Sequence, residues 1–318
     1  MRIILKFILL SALGISTSQA NDTTELANTL STSTLFSVQK DIVFKTIENR
    51  DIKLDLYRPK ASSDKPYKLL IWIHGGAWKR GSKDALPNKN PLLLNSVINA
   101  GYALASVNYR LSTEATFPAP VADINDAINY LQANATQYQI TADNVVMMGR
   151  SAGGHLAGLI GATNTSANVD FYEKPRYQVS AVVSFFGPTD MIQLGNKPAR
   201  KSNNGSGKKA ATKSSKKSSV ARFLGDIPKN VPDIAKQAST TSYINMKTPP
   251  FIMLHGTLDK QVPLSQSEML KTLLDEQGVL NQLYIEEGVG HSAPVFDTDK
   301  YVPHVMDFLQ QHFPIVVK

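Results

Sequence analysis

Gly149-Arg150-Ser151-Ala152-Gly153 joins an apolar run, Asn144 to Met148, to a helix-like one, His155 to Ile160. A serine at a tight strand-to-helix turn must adopt a strained backbone, so the residues two before and two after it have to lack bulk. The helix that follows points its N-terminal amides at the reacting centre. Ser151 is therefore the candidate nucleophile. A serine hydroxyl needs a base to take its proton, and that base needs an anionic partner to fix its tautomer. Past Ser151, the apolar run Phe251 to Leu254 ends in His255-Gly256-Thr257-Leu258-Asp259, which places Asp259 on a loop where active-site residues of open α/β sheets collect. The next strand-like segment leads into Glu286-Glu287-Gly288-Val289-Gly290-His291-Ser292, a glycine-flanked loop able to carry His291 back to the serine. Asp259 is the expected acid and His291 the expected general base, in the chain order Ser, Asp, His.

Acyl transfer also builds negative charge on oxygen, which calls for preorganised donors that no bulky side chain shields. His74-Gly75-Gly76-Ala77-Trp78, just after the apolar run Leu69 to Ile73, supplies them: the amides of Gly76 and Ala77, joined by that of Ala152. Trp78 is expected at the rim, equally as a substrate-binding wall for the acyl or leaving group or as ordinary packing. Other polar residues compete less well. His304 and His312 fall in a terminal helical segment, and His155 lies one turn past the nucleophile where packing explains it. Asp190 and the Glu286/Glu287 pair are the alternative acids.

Positioning these residues takes a sheet. Lys40 to Thr46 and Asp51 to Tyr57 alternate as two antiparallel strands joined at Glu48-Asn49-Arg50. Apolar runs at Leu69 to Ile73, Tyr102 to Val107, Val145 to Met148, Ala181 to Phe186, Phe251 to Leu254 and Leu283 to Ile285 are strand-like. Helical periodicity appears at Pro91 to Asn99, Val121 to Asn134, Ser151 to Ile160, Ser265 to Glu276 and Val302 to Phe313. Such alternation predicts a mostly parallel sheet covered on both faces. Gly187 to Ser239 breaks the pattern and reads as an insertion overhanging the active site.

With 318 residues, 42% of them hydrophobic, the chain has enough apolar surface for a full core. Met1-Arg2-Ile3-Ile4-Leu5-Lys6, the apolar run Phe7 to Leu13 and Ser18-Gln19-Ala20 form a leader expected to be cut after Ala20, giving a secreted or periplasmic protein. That run falls short of the ~20 residues needed to cross a bilayer. A linker over 21–37 and a catalytic domain over 38–318 follow. The formal charge of +8 is local, because Lys197, Arg200, Lys201, Lys208, Lys209, Lys213, Lys216, Lys217 and Arg222 account for it without an acidic residue among them. A nucleic-acid partner is accordingly not expected. The lysine-rich stretch at about 195–220 reads as a flexible surface loop, either simply solvated or contacting a polyanion or anionic lipid. The chain has no cysteine, so neither disulfides nor thiol chemistry enter.

The chain resembles the α/β-hydrolase superfamily, and within it the esterases similar to hormone-sensitive lipase, closest to the secreted acetyl-xylan and feruloyl esterase-like group. The carrying residues are His74 to Trp78, Ser106-Val107-Asn108-Tyr109-Arg110-Leu111, Phe117 to Pro120 with Asp123, Gly149 to Gly153, and Pro249 through Asp259 to Val262-Pro263 and Gln266-Ser267. The resemblance implies an eight-stranded, mostly parallel twisted sheet and a serine carboxylic-ester hydrolase working through an acyl-enzyme, with no metal or organic cofactor. Its substrate would be a small-molecule ester of small or short-chain acyl groups, with acetylated or feruloylated polysaccharide as one form. Two readings stand beside it: a peptidase similar to the prolyl-oligopeptidase group, and a binding protein on an inactive hydrolase scaffold. Two departures from the family pattern are Ala77, where many relatives carry a third glycine, and Arg150, read as a structural ion-pair partner ahead of a contact for an acidic substrate group. The lysine-rich stretch has no counterpart there.

Overall fold

The computed structural model describes residues 36–60, 64–166, 169–173, 175–195 and 218–315. The proposed leader, nearly all of the linker and the lysine-rich segment 196–217 lie outside the described residues. The leading hairpin joins β1 (Phe36–Ile47) to β2 (Arg50–Pro59) through Glu48 and Asn49. Their φ angles of 46° and 66° are those a two-residue turn needs to match the twist of its flanking strands. β3 (Tyr67–Ile73) and β4 (Ala103–Val107) are buried almost throughout. Between them lie α1 (Ala85–Lys89) and α2 (Pro91–Asn99). α3 (Ala119–Ala133) and the single turn α4 (Ala135–Tyr138) precede β5 (Ile140–Arg150). β5 runs directly into α5 (Ala152–Thr163), and β6 (Gln178–Phe185) follows.

The region read as an insertion holds three short helices among its described residues: α6 (Met191–Gly195), α7 (Ser219–Leu224) and α8 (Pro232–Gln237). β7 (Phe251–Gly256), α9 (Ser265–Glu276), β8 (Asn281–Glu286) and α10 (Val302–His312) complete the alternation. All eight strands form one sheet in the order β1-β2-β4-β3-β5-β6-β7-β8. β2 runs antiparallel to both β1 and β4, and every other neighbouring pair is parallel. This is the α/β-hydrolase fold.

Period-two alternation divides the core into two layers. Leu69, Ile71 and Ile73 of β3 join Ile124 and Ile128 of α3, Leu156 and Ile160 of α5 and Leu270 and Leu274 of α9 on one face. Leu70 and Trp72 join Leu94 and Ile98 of α2 and Val305 and Phe308 of α10 on the other. Each such side chain contributes about 1.5–3 kcal/mol when fully buried, so both faces hold the strands against sliding. The result for function is positional: the ends of β3, β5, β7 and β8 open on the same edge of the sheet.

No helix of the described residues is long and apolar enough to cross a membrane.

Candidate active site

Ser151 occupies the junction of β5 and α5 with φ 53° and ψ −120°, a conformation that L residues rarely adopt. Its amide donates to Phe185 O at 2.8 Å, and its carbonyl accepts from His155 N at 3.0 Å as the first turn of α5. The strained turn is thus fixed from both sides, by the neighbouring strand and by the helix it begins. Positive φ recurs around the site at Ala77, Trp78, Phe186 and Ser292. Strain of this kind persists only where the surroundings over-determine it, and it gathers at working sites.

Two loops deliver the partners. Asp259, 7% exposed, follows β7; its Oδ1 accepts from the amides of Gln261 and Val262 at 2.8 and 2.9 Å. Its Oδ2 lies 2.6 Å from His291 Nδ1, while His291 Nε2 lies 2.8 Å from Ser151 Oγ. His255 Nε2 stands 3.3 Å from the same Oδ2 and 3.0 Å from Val262 O, and Ser267 Oγ meets His255 Nδ1 at 2.7 Å. Burial opposes charge on Asp259. The hydrogen bonds from His255 and His291, the His291 charge and the Val262 amide outweigh it and hold the carboxyl well below the usual carboxylate range. His255 lay within the quoted motif but had no role in the sequence reading, because nothing in spacing says that it folds back behind Asp259. Phe186 closes the other side, its ring 4.8 Å from that of His291.

The loop after β3 lies against Ser151: a β-carbon on Gly75 would fall 3.4 Å from Ser151 Cβ. Gly76 has φ 126°, and a β-carbon there would come within 2.0 Å of Arg80 O, so only glycine fits this turn. Neither the Gly76 nor the Ala77 amide donates to a protein acceptor among the described residues. The loop is clamped from behind. Tyr109 donates to His74 O at 3.0 Å and stacks on the His74 ring at 4.4 Å. Asp123, wholly buried, accepts from Arg110 N, Nε and Nη2 at 2.9, 2.8 and 2.8 Å and so holds the segment carrying Tyr109.

Two cavities meet at Ser151 and His291. One, of about 430 Å³, is bordered by Gly76, Ala77, Arg80, Lys89 and Arg150. The other, of about 250 Å³, is bordered by Trp78, Ala152, Pro188, Leu194, Val220 and Val262. Trp78 is a buried wall of the smaller cavity and stands away from any rim: it is 3% exposed, stacks on Phe223 at 4.7 Å and donates from Nε1 to His155 Nδ1 at 3.1 Å. No carboxylate lies within ion-pair distance of Arg150 among the described residues, so the ion pair expected for it is not formed.

The competing residues have other partners. Asp190 caps Gln193 N at 2.8 Å, Glu286 binds Lys300 and Tyr301, and Glu287 accepts from Thr257 at 3.2 Å. His304 stacks on Tyr284 and His312 packs on Phe308.

Two buried histidines tie the site to acid stability. His155 accepts from Trp78 and lies 2.7 Å from Ala238 O, which uses both ring nitrogens of the neutral imidazole. Burial pushes both His155 and His74 down to about 4, against partial support from the Ala238 carbonyl for His155 and, for His74, from the Gly75 carbonyl and Asp84. The unfolded chain binds these protons near pH 6.5, so the native state holds fewer protons between pH 6.5 and 4. The stability they contribute is complete above the unfolded pKa and is lost as pH falls toward 4. Urea unfolding between pH 7 and 4 should show a loss of several kcal/mol, with a limiting slope of about two protons. A midpoint unchanged over that range would contradict both neutral assignments.

A mostly parallel eight-stranded sheet, with a serine at the β5–α5 turn and an acid and a histidine on the loops after β7 and β8, defines an α/β-hydrolase. The chain belongs to the BD-FAE family, which matches residues 54–274. Esterase LipQ of Mycobacterium tuberculosis is 28% identical over 251 residues, 77% of this chain and 54% of LipQ. The chain therefore spans little more than half of that relative. Among solved structures, a truncated carbohydrate esterase from gut microbiota is 28% identical with a TM-score of 0.72, over 88% of this chain and 98% of that one. A bifunctional GH43-CE protein of Bacteroides eggerthii is 29% identical with a TM-score of 0.70, over 87% and 38%.

Proposed function

We propose that this protein is an exported serine carboxylic-ester hydrolase acting on small or short-chain acyl esters, with acylated carbohydrate as its substrate class. Ser151 Oγ attacks the ester carbonyl while His291 Nε2 takes its proton, and Asp259 holds Nδ1–H and stabilises the imidazolium. The developing oxyanion is met by the amides of Gly76, Ala77 and Ala152. His291 then protonates the departing alcohol, and water deacylates Ser151 by the same steps in reverse order. The observation that carries this reading is the unbroken line of hydrogen bonds from Asp259 Oδ2 through His291 to Ser151 Oγ, at 2.6 and 2.8 Å. The esterase names of the relatives support the activity. A carbohydrate-esterase neighbour, together with the modest cavities, supports the substrate class. Export rests on the leader sequence alone.

A fluorophosphonate probe should label the wild-type protein and not Ser151→Ala. Hydrolysis of p-nitrophenyl esters should fall steeply from acetate to decanoate, with activity on acetylated xylan or methyl ferulate naming the sugar ester. Wild-type protein that resists the probe would favour a binding protein on this scaffold. The intact mass of exported protein should correspond to a chain beginning at Asn21, and a mass retaining the leader would refute cleavage.

A further inference from the structure

We propose that the larger cavity beside Ser151 receives a carboxylate, so that the preferred substrates are esters carrying an acidic group near the scissile bond, bound by Arg150 with Arg80 and Lys89. This inference rests on the hydrolase reading and narrows its substrate class.

The lining carries three cations, Arg80, Lys89 and Arg150, and no aspartate or glutamate. Among the described residues, the enclosed cations Lys83 and Arg110 are met by carboxylates, while Arg222 is not. Lys83 contacts Asp41, Asp55 and Asp84 at 3.2, 2.9 and 3.1 Å, and Arg110 contacts Asp123 at 2.8 Å. Arg150 has no carboxylate partner among the described residues. Its guanidinium donates to Lys89 O at 3.3 Å, Asn90 Oδ1 at 3.1 Å and Ala293 O at 3.4 Å, and lies 5.0 Å over the Phe186 ring. These bonds occupy Nη1 and part of Nη2, leaving Nε–H and a second Nη2–H without an acceptor among the described residues.

The acidic groups nearby are committed elsewhere. Asp297 acts on Arg150 only at longer range, because its two oxygens accept from the Leu92 and Leu93 amides at the start of α2, at 3.1 and 3.0 Å. Asp84 binds Lys83 and Ser82. Asn90 repeats the pattern of unmet donors: it is fully buried, its Oδ1 serves Arg150, and its Nδ2 has no partner among the described residues. Burial pushes the Arg150 guanidinium down to about 10, with Asp297 partly opposing, so it stays cationic at neutral pH.

A planar guanidinium with two free N–H groups in a partly enclosed site suits a carboxylate, since charge-assisted pairs are about twice as strong as neutral hydrogen bonds. Lys89 and Arg80, both exposed, add attraction that salt screens. The smaller cavity, walled by Leu194, Val220 and Val262, takes the neutral remainder of the ester.

Two matched pairs test this. 4-Carboxyphenyl acetate against 4-carbamoylphenyl acetate places the charge on the alcohol, and phenyl hemisuccinate against phenyl succinamate places it on the acyl group. In at least one pair the anionic member should lead in kcat/KM by about tenfold at low ionic strength. The lead should fall to near parity in Arg150→Gln, and by a smaller factor in Lys89→Gln, Arg80→Gln or 0.5 M salt as a roughly chosen screening condition. Because Arg150→Gln risks disturbing β5, the exposed Lys89 and Arg80 variants carry the same test without that risk. Calorimetric titration of Ser151→Ala with each pair reads binding apart from turnover, and the anionic member should bind about tenfold tighter. Equal rates and equal binding within both pairs would overturn the proposal, as would a preference that all three variants leave intact. Failure of the wild type to cleave any of the four esters would instead strike the hydrolase reading, and the Ser151→Ala titration would still decide the carboxylate site.

Discussion

Asp259→Asn is expected to lower kcat on a short-chain ester by about ten thousand-fold while leaving the fold intact. The asparagine carbonyl can keep the acceptor role that Oδ1 now fills for the Gln261 and Val262 amides. Its Nδ2 must then face His291 Nδ1, where Oδ2 stood at 2.6 Å. An NH₂ group in that place requires Nδ1 to accept, which moves the ring proton to Nε2. There it points at Ser151 Oγ, 2.8 Å away, and the imidazole can no longer take the serine proton. His255 Nε2, at 3.3 Å, would also lose its contact with a carboxylate oxygen. The contacts that hold the carboxylate ionised against its burial would be weakened as well, so stability should also fall, though by less than the rate. Steady-state kinetics beside urea unfolding separates the two effects. A rate loss under about tenfold would remove Asp259 from the proposed machinery.

What could be read in the sequence follows from what each element needs locally. α2 and α9 begin and end where periodicity placed them, at Pro91–Asn99 and Ser265–Glu276, because each carries a buried apolar stripe, Leu93, Leu94, Val97 and Ile98 in α2 and Leu270 and Leu274 in α9. β5 was legible only from Val145. Its first residues include Thr141, Asp143 and Asn144, and only Ile140 and Thr141 pair with Tyr67 and Lys68 ahead of a register shift, so no apolar run announces them. α1, α4, α6, α7 and α8 are too short to express a period of 3.6 residues and went unseen. Ser151, Asp259 and His291 could be named because strand, turn and chain order constrain each one locally. The cationic cavity could not, because Arg80 lies in the loop after β3, Lys89 ends α1 and Arg150 ends β5, and their convergence depends on the strand order β3-β5 at the middle of the sheet. The unpaired state of Arg150 was equally hidden, since a partner's absence is a fact of packing.

Gly153→Ala should abolish folding or cost more than about 3 kcal/mol, the upper part of the usual range for overpacking, whereas Gly158→Ala one turn further along should stabilise by about 0.5–1 kcal/mol. Both glycines lie in α5 and both are buried, so helix propensity alone predicts the same gain for each. Packing separates them. A β-carbon at Gly153 would come within 2.0 Å of Ile73 O and 2.7 Å of His74 O, and these are backbone atoms at the end of β3 that cannot rotate away. Relief requires α5 to back off from the sheet, carrying Ser151 with it and parting the proposed nucleophile from the Gly76 and Ala77 amides. Misplacement of about an ångström costs on the order of a hundredfold in rate, so any folded Gly153→Ala protein should be crippled as well as unstable. At Gly158 the same carbon meets Thr240 Oγ1 at 3.4 Å and Phe251 Cε1 at 3.6 Å, ordinary contacts that fill space without strain. Urea unfolding of the two variants, with acetate-ester turnover beside it, tests the contrast. Equal stability in the pair would mean that the helix does not approach β3 as closely as the Gly153 contact requires, and the proposed oxyanion site would lose its structural basis.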